Sequence, residues 1–316
     1  MKAGKQPLVS VCIITYNQEH YIAQCITGAL EQQADFEYEI VIGEDHSTDG
    51  TAEICEEFAA RFPEKIRLIK RPENLGMIGN WMDTIQSCTG KYVALCEGDD
   101  YWDYAHKLQK QVDFLEANAN YALSFHDAAI INERDPNNTI HKYSGYEWNH
   151  INPERDIYDL SDLLHATLCP TPSVVFRKPA NFKFPAWYTS LPFADMSLFI
   201  LVTGQQKIKF FNEMWCVYRR HATSASAMPM MTDKFNKGKI SMYLHLYESL
   251  PAKQQAEIPA ILKENILRLP DIMMLTVKER EQIKKIVPAF YRRRVAAYYK
   301  KTLWSSAKKI RERIKL

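Results

Sequence analysis

The stretch 95-LCEGDDYW-102 sets Glu97, Asp99 and Asp100 within four positions, followed directly by Tyr101 and Trp102. Carboxylates this close repel one another and lower stability unless something positive sits among them. Two chemistries suit such a cluster. Hard divalent cations take oxygen ligands from one or two carboxylates and from phosphate groups. Alternatively, the acids occupy a strand-to-helix turn and cap a helix beginning near Tyr104. Taken alone, residues 97–100 fit both. Two further polar clusters, 15-TYNQE-19 and 44-EDHSTDG-50, resemble the first in following an apolar, β-branched run.

The elements that must position these clusters can be read from periodicity. Expected strands are 8-LVSVCIIT-15, 38-YEIVIGE-44, 66-IRLIK-70, 92-YVALC-96 and 122-ALSFHDAAII-131, with helices near 20–32, 49–62, 78–88 and 105–117. In the second helix Ile54, Cys55, Phe58 and Phe62 recur at helical spacing, and Ser47, Thr48 and Asp49 are expected to cap it. Repeated β-α-β units with near-continuous apolar strands argue for an α/β fold with a mostly parallel, doubly wound sheet. Ligands of such sheets collect at the carboxyl ends of strands, where all three clusters fall, so they predict one shared site. Neither GxGxxG nor GxxxxGK[ST] occurs, which disfavours a dinucleotide site and a P-loop.

Residues 132–193 are irregular, with 171-TPSVVFRK-178 as a further expected strand. Beyond them, 195-DMSLFILV-202 reads as a buried helix and 208-IKFFNEMWCVYRR-220 as a strand followed by a turn. From about residue 232 the pattern is helical, punctuated by Pro251, Pro259, Pro270 and Pro288. The expected organisation is a domain over 1–228, with halves 1–130 and 131–228, and a helical region over 229–316. Seven cysteines form no CxxC pair and several lie in apolar runs, which suits buried, reduced thiols in a cytosolic protein. The N-terminus lacks the apolar core of a signal peptide.

Four motifs in order, 7-PLVSVCIITYNQEHYI-22, 41-VIGEDHSTDGT-51, 73-ENLGMIGNW-81 and 90-GKYVALCEGDDYW-102, resemble those of the family 2 inverting glycosyltransferases with a GT-A fold. The resemblance covers roughly residues 7–225. It departs from the usual pattern in the second motif, where Glu44 replaces an aspartate and His46 a glycine.

The resemblance implies a nucleotide-sugar donor, most simply a UDP-sugar, and a divalent cation, Mn²⁺ or Mg²⁺. A nucleotide diphosphate is itself anionic, so a carboxylate-rich pocket can hold it only through such a cation. Asp100 is then the metal ligand, with His221 of 217-VYRRHATSAS-226 completing the shell or meeting a phosphate, and Arg219 or Arg220 neutralising the diphosphate. The nucleotide falls to Thr15, Tyr16, Asn17, Glu19, Asp45, Asn74 and Asp99. Asp45 accepts the imide N–H of uracil, and Tyr16 stacks. The family places its catalytic base where Asp195 stands in 192-PFADMSLFILV-202, preceded here by Ala194. A plain helix-capping role for Asp195 is the alternative. Tyr101 and Trp102 fit either ordinary packing or a platform for sugar or acceptor, and His126 and Asp127 lie where an acceptor could be reached.

Residues 291–316 hold ten Lys/Arg and one acid, leaving 30 basic and 37 acidic residues elsewhere, a net of −7. In this tail Val295, Tyr299, Leu303, Ser306, Ile310 and Ile314 form an apolar stripe flanked by cations. That pattern suits an interfacial helix on an anionic membrane as well as a helix packed on its own domain. An acidic body argues against nucleic acid. The expected function is sugar transfer to a hydroxyl of a glycan or lipid-linked acceptor in cell-surface polysaccharide synthesis, from a cytoplasmic or peripheral membrane location. A nucleotidyltransferase and a catalytically silent, membrane-associated nucleotide-binding subunit are the rival readings. The first would carry a basic, Gly-rich phosphate loop after the first strand, and 15-TYNQEH-20 has none.

Overall fold

The computed structural model describes residues 6–137, 139–146, 149–224 and 232–314, with 302–314 as backbone alone. The chain divides into two compact units, Met1–Thr189 with Phe193–Pro229, and Ser190–Pro192 with Met230–Leu316.

In the first unit β1 (Val9–Thr15), β2 (Tyr38–Glu44), β3 (Ile66–Lys70) and β4 (Tyr92–Glu97) alternate with α1 (Ile22–Leu30), α2 (Thr51–Arg61) and α3 (Gly76–Ser87). The two-residue strand β5 (Tyr101–Trp102), α4 (Lys107–Ala117) and β6 (Tyr121–Asn132) follow. The short elements β7 (Ile140–Lys142), β8 (Ile157–Tyr158), α5 (Leu160–His165) and β9 (Val175–Arg177) lead to α6 (Asp195–Thr203) and the long β10 (Lys207–Arg220).

The sheet runs β3-β2-β1-β4-β9-β6-β10-β5, with β7 on β6 and β8 on β10. The pairs β1–β2, β1–β4, β2–β3 and β6–β10 are parallel, whereas β9 runs antiparallel to both β4 and β6. β1, β2 and β4 are buried nearly throughout, as expected of strands covered on both faces. Their register puts Thr15 opposite Glu44 and Ile14 opposite Glu97, so the three polar clusters leave the sheet together at the carboxyl ends of neighbouring strands.

Two departures from the expected elements concern pairing. The strand expected over 171–178 is a 3-10 turn, Thr171–Ser173, followed by only three paired residues. Residues 101–102, which lie outside the expected strands and helices, pair with Cys216 and Val217 of β10. Helix α1 packs so closely on them that a Cβ on Gly28 would lie 2.5 Å from the Trp102 carbonyl oxygen.

The second unit contains α7 (Asp233–Leu246), α8 (Ala252–Leu267), α9 (Val277–Ile286) and α10 (Pro288–Ile314). Ile240, Tyr243, Ile258, Leu262, Ile266 and Ile283 are buried. Thr276 and Glu279 form a capping box at the start of α9. The Arg294 guanidinium donates to the Ile266 and Leu269 carbonyls at the end of α8. Side chains from residue 302 onward, and residues 315–316, lie outside the described residues, so most of the expected tail stripe does too. Among the described residues no helix is long and apolar enough to cross a membrane.

Candidate active site

β4 ends at Glu97, and the chain turns through Gly98, Asp99 and Asp100 into β5. The turn is held by a residue 119 positions further along the chain. The Arg219 N–H donates to Asp100 Oδ1 at 2.8 Å, and the Arg219 guanidinium donates to the Asp99 carbonyl at 2.7 Å. Asp100 is 1 % exposed, and its Oδ2 is buried without a hydrogen-bond partner. Burial, followed by the charges of Asp99 and Glu97, pushes the Asp100 carboxyl well above the usual carboxylate range. Glu97 is pushed up for the same reasons, by burial, then Asp99 and Asp195, against the opposing hydroxyl of Thr171. Part of its surface nevertheless still reaches solvent.

These acids cap no helix. Helix α4 begins only at Lys107, its N-cap is His106, and no side chain caps it. The orphaned oxygen of Asp100, among carboxylates that hinder one another's ionisation, fits a hard cation. Among the described residues no three His, Cys, Asp or Glu side chains gather closely enough to hold an ion by themselves. Phosphate oxygens and water would therefore have to supply the remaining ligands, as is usual for Mg²⁺ sites.

His221 meets Asp99 first. Its Nε2 lies 3.0 Å from Asp99 Oδ2 and its Nδ1 3.0 Å from Thr223 Oγ1, so both ring nitrogens have protein partners in this arrangement. The Tyr21 ring lies 4.6 Å from the imidazole, and its hydroxyl donates to Glu133 at 2.7 Å.

Of the two arginines expected to neutralise a diphosphate, Arg219 has internal partners: its guanidinium lies near the rings of Tyr21 and Tyr101, at 5.1 and 4.6 Å, and donates to Gln24 as well as to Asp99. The half-buried rings and the Asp99 carbonyl give the guanidinium its partners within the turn. This also gives Tyr101 a role that sequence alone missed. Arg220, by contrast, keeps part of its surface open.

On the side where the sequence leads one to expect the nucleotide, two loops clasp one another. Asn17, held at φ +52°, accepts from the Thr48 N–H at 2.8 Å and donates its own N–H to Ser47 Oγ at 3.0 Å. Glu19 accepts from the Gly50 N–H at 2.7 Å, and Asp49 accepts from the Glu19 N–H at 3.2 Å. Thr15 donates to Gln18 at 2.8 Å, and Gly98 packs so tightly here that a Cβ would lie 2.4 Å from Gln18 Oε1. The expectation that Ser47, Thr48 and Asp49 cap α2 holds for Asp49, whose Oδ1 accepts from the N–H of Thr51, the first helical residue, at 3.0 Å. Ser47 and Thr48 are instead engaged across the clasp, and the N-cap position itself belongs to Gly50. Glu44, one methylene longer than aspartate, folds beneath its own loop to accept from the Ser47 N–H at 2.7 Å.

Asp45 is buried, and burial raises its carboxyl. Its Oδ1 accepts from the Leu75 N–H at 2.8 Å. Asn74 donates to the Asp45 carbonyl and accepts from Gly76, both at 2.9 Å. Asn74 thus shapes this turn, and Gly76 takes the positive φ (+74°) that the turn requires. Beside them Tyr16, Leu75 and Met77 are exposed.

Asp195 is the first residue of α6, the N-cap is Ala194, and no side chain caps the helix. The expected capping alternative is thus not met. The Tyr188 and Ser197 hydroxyls both donate to the Ala194 carbonyl, pinning the residue before it. The charge of Asp195 acts on Glu97, Cys169 and Tyr188, which brings it electrostatically into the site of the acidic turn. His126 and Asp127 lie in the interior instead of at an acceptor surface. Both are fully buried, and Asp127 accepts from the Ser144 N–H at 3.0 Å and hydroxyl at 2.5 Å.

Residues 10–182 match the sequence profile of glycosyl transferase family 2. The chain belongs to that family. Protein Rv1520 of Mycobacterium tuberculosis, uncharacterized, is 35% identical to this family 2 chain over 221 residues, 68% of this chain and 59% of that one. The chain thus spans less than two thirds of that relative's length. Among solved structures, S. aureus TarS 1–349 in complex with UDP-GlcNAc aligns with a TM-score of 0.59 at 18% identity, covering 89% of this chain and 80% of that one. Mannosyltransferase PcManGT from Pyrobaculum calidifontis, in complex with GDP-Man and Mn²⁺, gives 0.55 at 16% identity, covering 97% and 81%. The fold is therefore that of the GT-A transferases, a mixed α/β sheet flanked by helices.

Proposed function

We propose that this family 2 transferase moves a sugar from a UDP-sugar to an acceptor hydroxyl with inversion, in the presence of Mg²⁺ or Mn²⁺. The observation that carries this reading is the buried, partnerless Oδ2 of Asp100, in a turn electrostatically coupled to Asp195 through Glu97. Asp100 would hold the cation together with the donor diphosphate. When bound, the cation neutralises charge developing on the departing nucleotide.

The remaining chemistry belongs to the side chains. Asp195 accepts the proton of the acceptor hydroxyl as that oxygen attacks the anomeric carbon from the face opposite the nucleotide. The bond from the anomeric carbon to the acceptor forms as the bond to the diphosphate oxygen breaks, through an oxocarbenium-like transition state. Asp45 accepts from the uracil imide, and exposed Tyr16 stacks on the base. Thr15, Asn17, Glu19 and Asn74 shape the loops around the nucleoside, and Asp99 and His221 complete the donor side. The GDP-Man bound by PcManGT shows that the fold itself leaves the base undecided, so the choice of UDP rests on Asp45.

The acceptor in this reading is a glycan or lipid-linked saccharide of a cell-surface polysaccharide. Residues 1–228 form the transferase domain. The helical region 229–316 brings its basic tail, 291–316, to an anionic membrane from the cytoplasmic side. Supporting this are the tail's ten cations and the length of α10.

The test is release of nucleoside diphosphate from UDP-glucose, UDP-galactose, UDP-GlcNAc and GDP-mannose with Mn²⁺, for the wild type and Asp195→Asn. Release from a UDP-sugar, abolished by Asp195→Asn without loss of UDP binding, is expected. Undiminished turnover by Asp195→Asn would overturn the assignment of the base.

A further inference from the structure

Beneath the acidic turn lies a cation that the chemistry above does not use. Lys107, the first residue of α4, is 0 % exposed. None of the ion pairs among the described residues includes it. Its Nζ sits 4.2 Å from the centroid of the Trp102 ring and donates to Gln111 Oε1 at 2.9 Å. An ammonium removed from water without a carboxylate is unfavourable, and burial pushes Lys107 down to about 7.

The contacts around it close into a ring. Gln111 Nε2 donates to the Ser173 carbonyl at 2.9 Å and to the Ser124 carbonyl at 3.1 Å. The neighbouring carbonyl, that of Pro172, accepts from the Trp102 indole N–H at 2.8 Å. Trp102 thus touches the 171–173 turn directly through its indole and again by way of Lys107 and Gln111. Its backbone pairs with Cys216, Tyr101 pairs with Val217, and Arg219 on the same strand donates to Asp100. Thr171, in the other turn, meets Glu97.

We propose that Lys107 is a positioning residue: it grips the face of Trp102, and through Trp102 fixes the acidic turn relative to the 171–173 turn. An apolar side chain could fill the same volume. It could neither attract the ring face nor orient Gln111 toward the two carbonyls. The consequence for transfer rests on the reading of Asp100 as the donor-side carboxylate, whereas the positioning itself does not.

The experiment is hydrogen exchange by NMR on the full chain at about pH 6, where Lys107 keeps its proton, wild type against Lys107→Met, with Lys107→Gln as a second variant should the first fold poorly. The Arg219 amide and the Trp102 indole N–H report the two turns, and the amides of Val11 and Val93 in β1 and β4 are internal controls. Expected is exchange about tenfold faster or more at the two reporters, with the controls unchanged. A parallel calorimetric titration with UDP and Mn²⁺ should show weakened binding in the variant. Unchanged exchange at Arg219 and Trp102 would overturn the proposal, whatever the binding result. Altered exchange in a protein whose wild type binds no UDP would leave the positioning standing and overturn only the donor reading.

Discussion

The main-chain N–H of Arg219 holds one oxygen of Asp100 at 2.8 Å and leaves the other buried without a partner. The same residue's guanidinium grips the Asp99 carbonyl, so the last strand of the sheet sets the position of both acids. Arg219→Lys keeps the main-chain donor and the charge but loses the planar fork that reaches Asp99 and Gln24 together. UDP affinity with Mn²⁺ should fall about tenfold, because the turn that carries Asp100 loses its anchor. Calorimetric titration of the variant checks this, and unchanged affinity would contradict the anchoring of the turn by Arg219.

Asp100→Asn should separate function from stability. The carboxylate is pushed up by burial and by its acidic neighbours, so the ionised form is unfavourable in the metal-free protein. The amide keeps an acceptor for the Arg219 N–H and removes the repulsion. Metal-free stability should stay level or rise by about 1 kcal/mol, while metal-dependent UDP binding and transfer disappear. Denaturant melts and calorimetry on the same preparation provide both readings.

Lys107 should be visible in the pH dependence of stability. The folded protein releases its proton near 7, while the unfolded chain keeps it up to the ordinary lysine value. Between those values the unfolded state binds more protons, so stability rises with pH, by up to about 1 kcal/mol per unit from this group. The titratable groups facing it are Cys96, Cys216 and His126, from β4, β10 and β6. Burial holds both thiols neutral through this window and His126 uncharged. Urea melts of wild type and Lys107→Met from pH 7 to 9 should differ in slope, with the variant flatter. Parallel slopes would show that Lys107 does not release its proton in this range.

Gly28→Ala tests the packing behind β5. The added methyl would meet the Trp102 carbonyl at 2.5 Å, a backbone atom that cannot rotate away. Destabilisation of about 1–3 kcal/mol is expected, since overpacking of a tight helix-strand contact forces the backbone to shift. A thermal melt that leaves the midpoint unchanged would contradict the close approach.

What was legible in the sequence was local. The apolar runs of β1, β2, β4 and β6 announced themselves because buried parallel strands need continuous hydrophobicity. The acids stood at strand ends because parallel connections leave the sheet there. What escaped was set by pairing across long separations. β9, Val175–Arg177, falls within the strand expected over 171–178, but no periodicity marks how short it is or the antiparallel direction it takes between β4 and β6. The inward turn of Arg219 depends on Tyr21, Gln24 and Tyr101, which become its neighbours only when β10 folds against β5. Lys107, in a segment of ordinary charged helix pattern, gave no sign of being buried. The capping roles expected at Ser47, Thr48 and Asp195 failed for a related reason. Ser47 and Thr48 are engaged across a tertiary clasp, and the N-cap position before α6 belongs to Ala194, whereas Asp49 serves both the clasp and the first N–H of α2.

The donor site is tested most directly by calorimetric titration of the wild-type protein with UDP, GDP and CDP, each in Mn²⁺ and in EDTA. Binding of UDP over GDP and CDP, lost in EDTA, is the expected result and would support Asp45 and Asp100 together. Preference for GDP or CDP would contradict the Asp45 assignment. Equal binding with and without the metal would contradict a cation at Asp100.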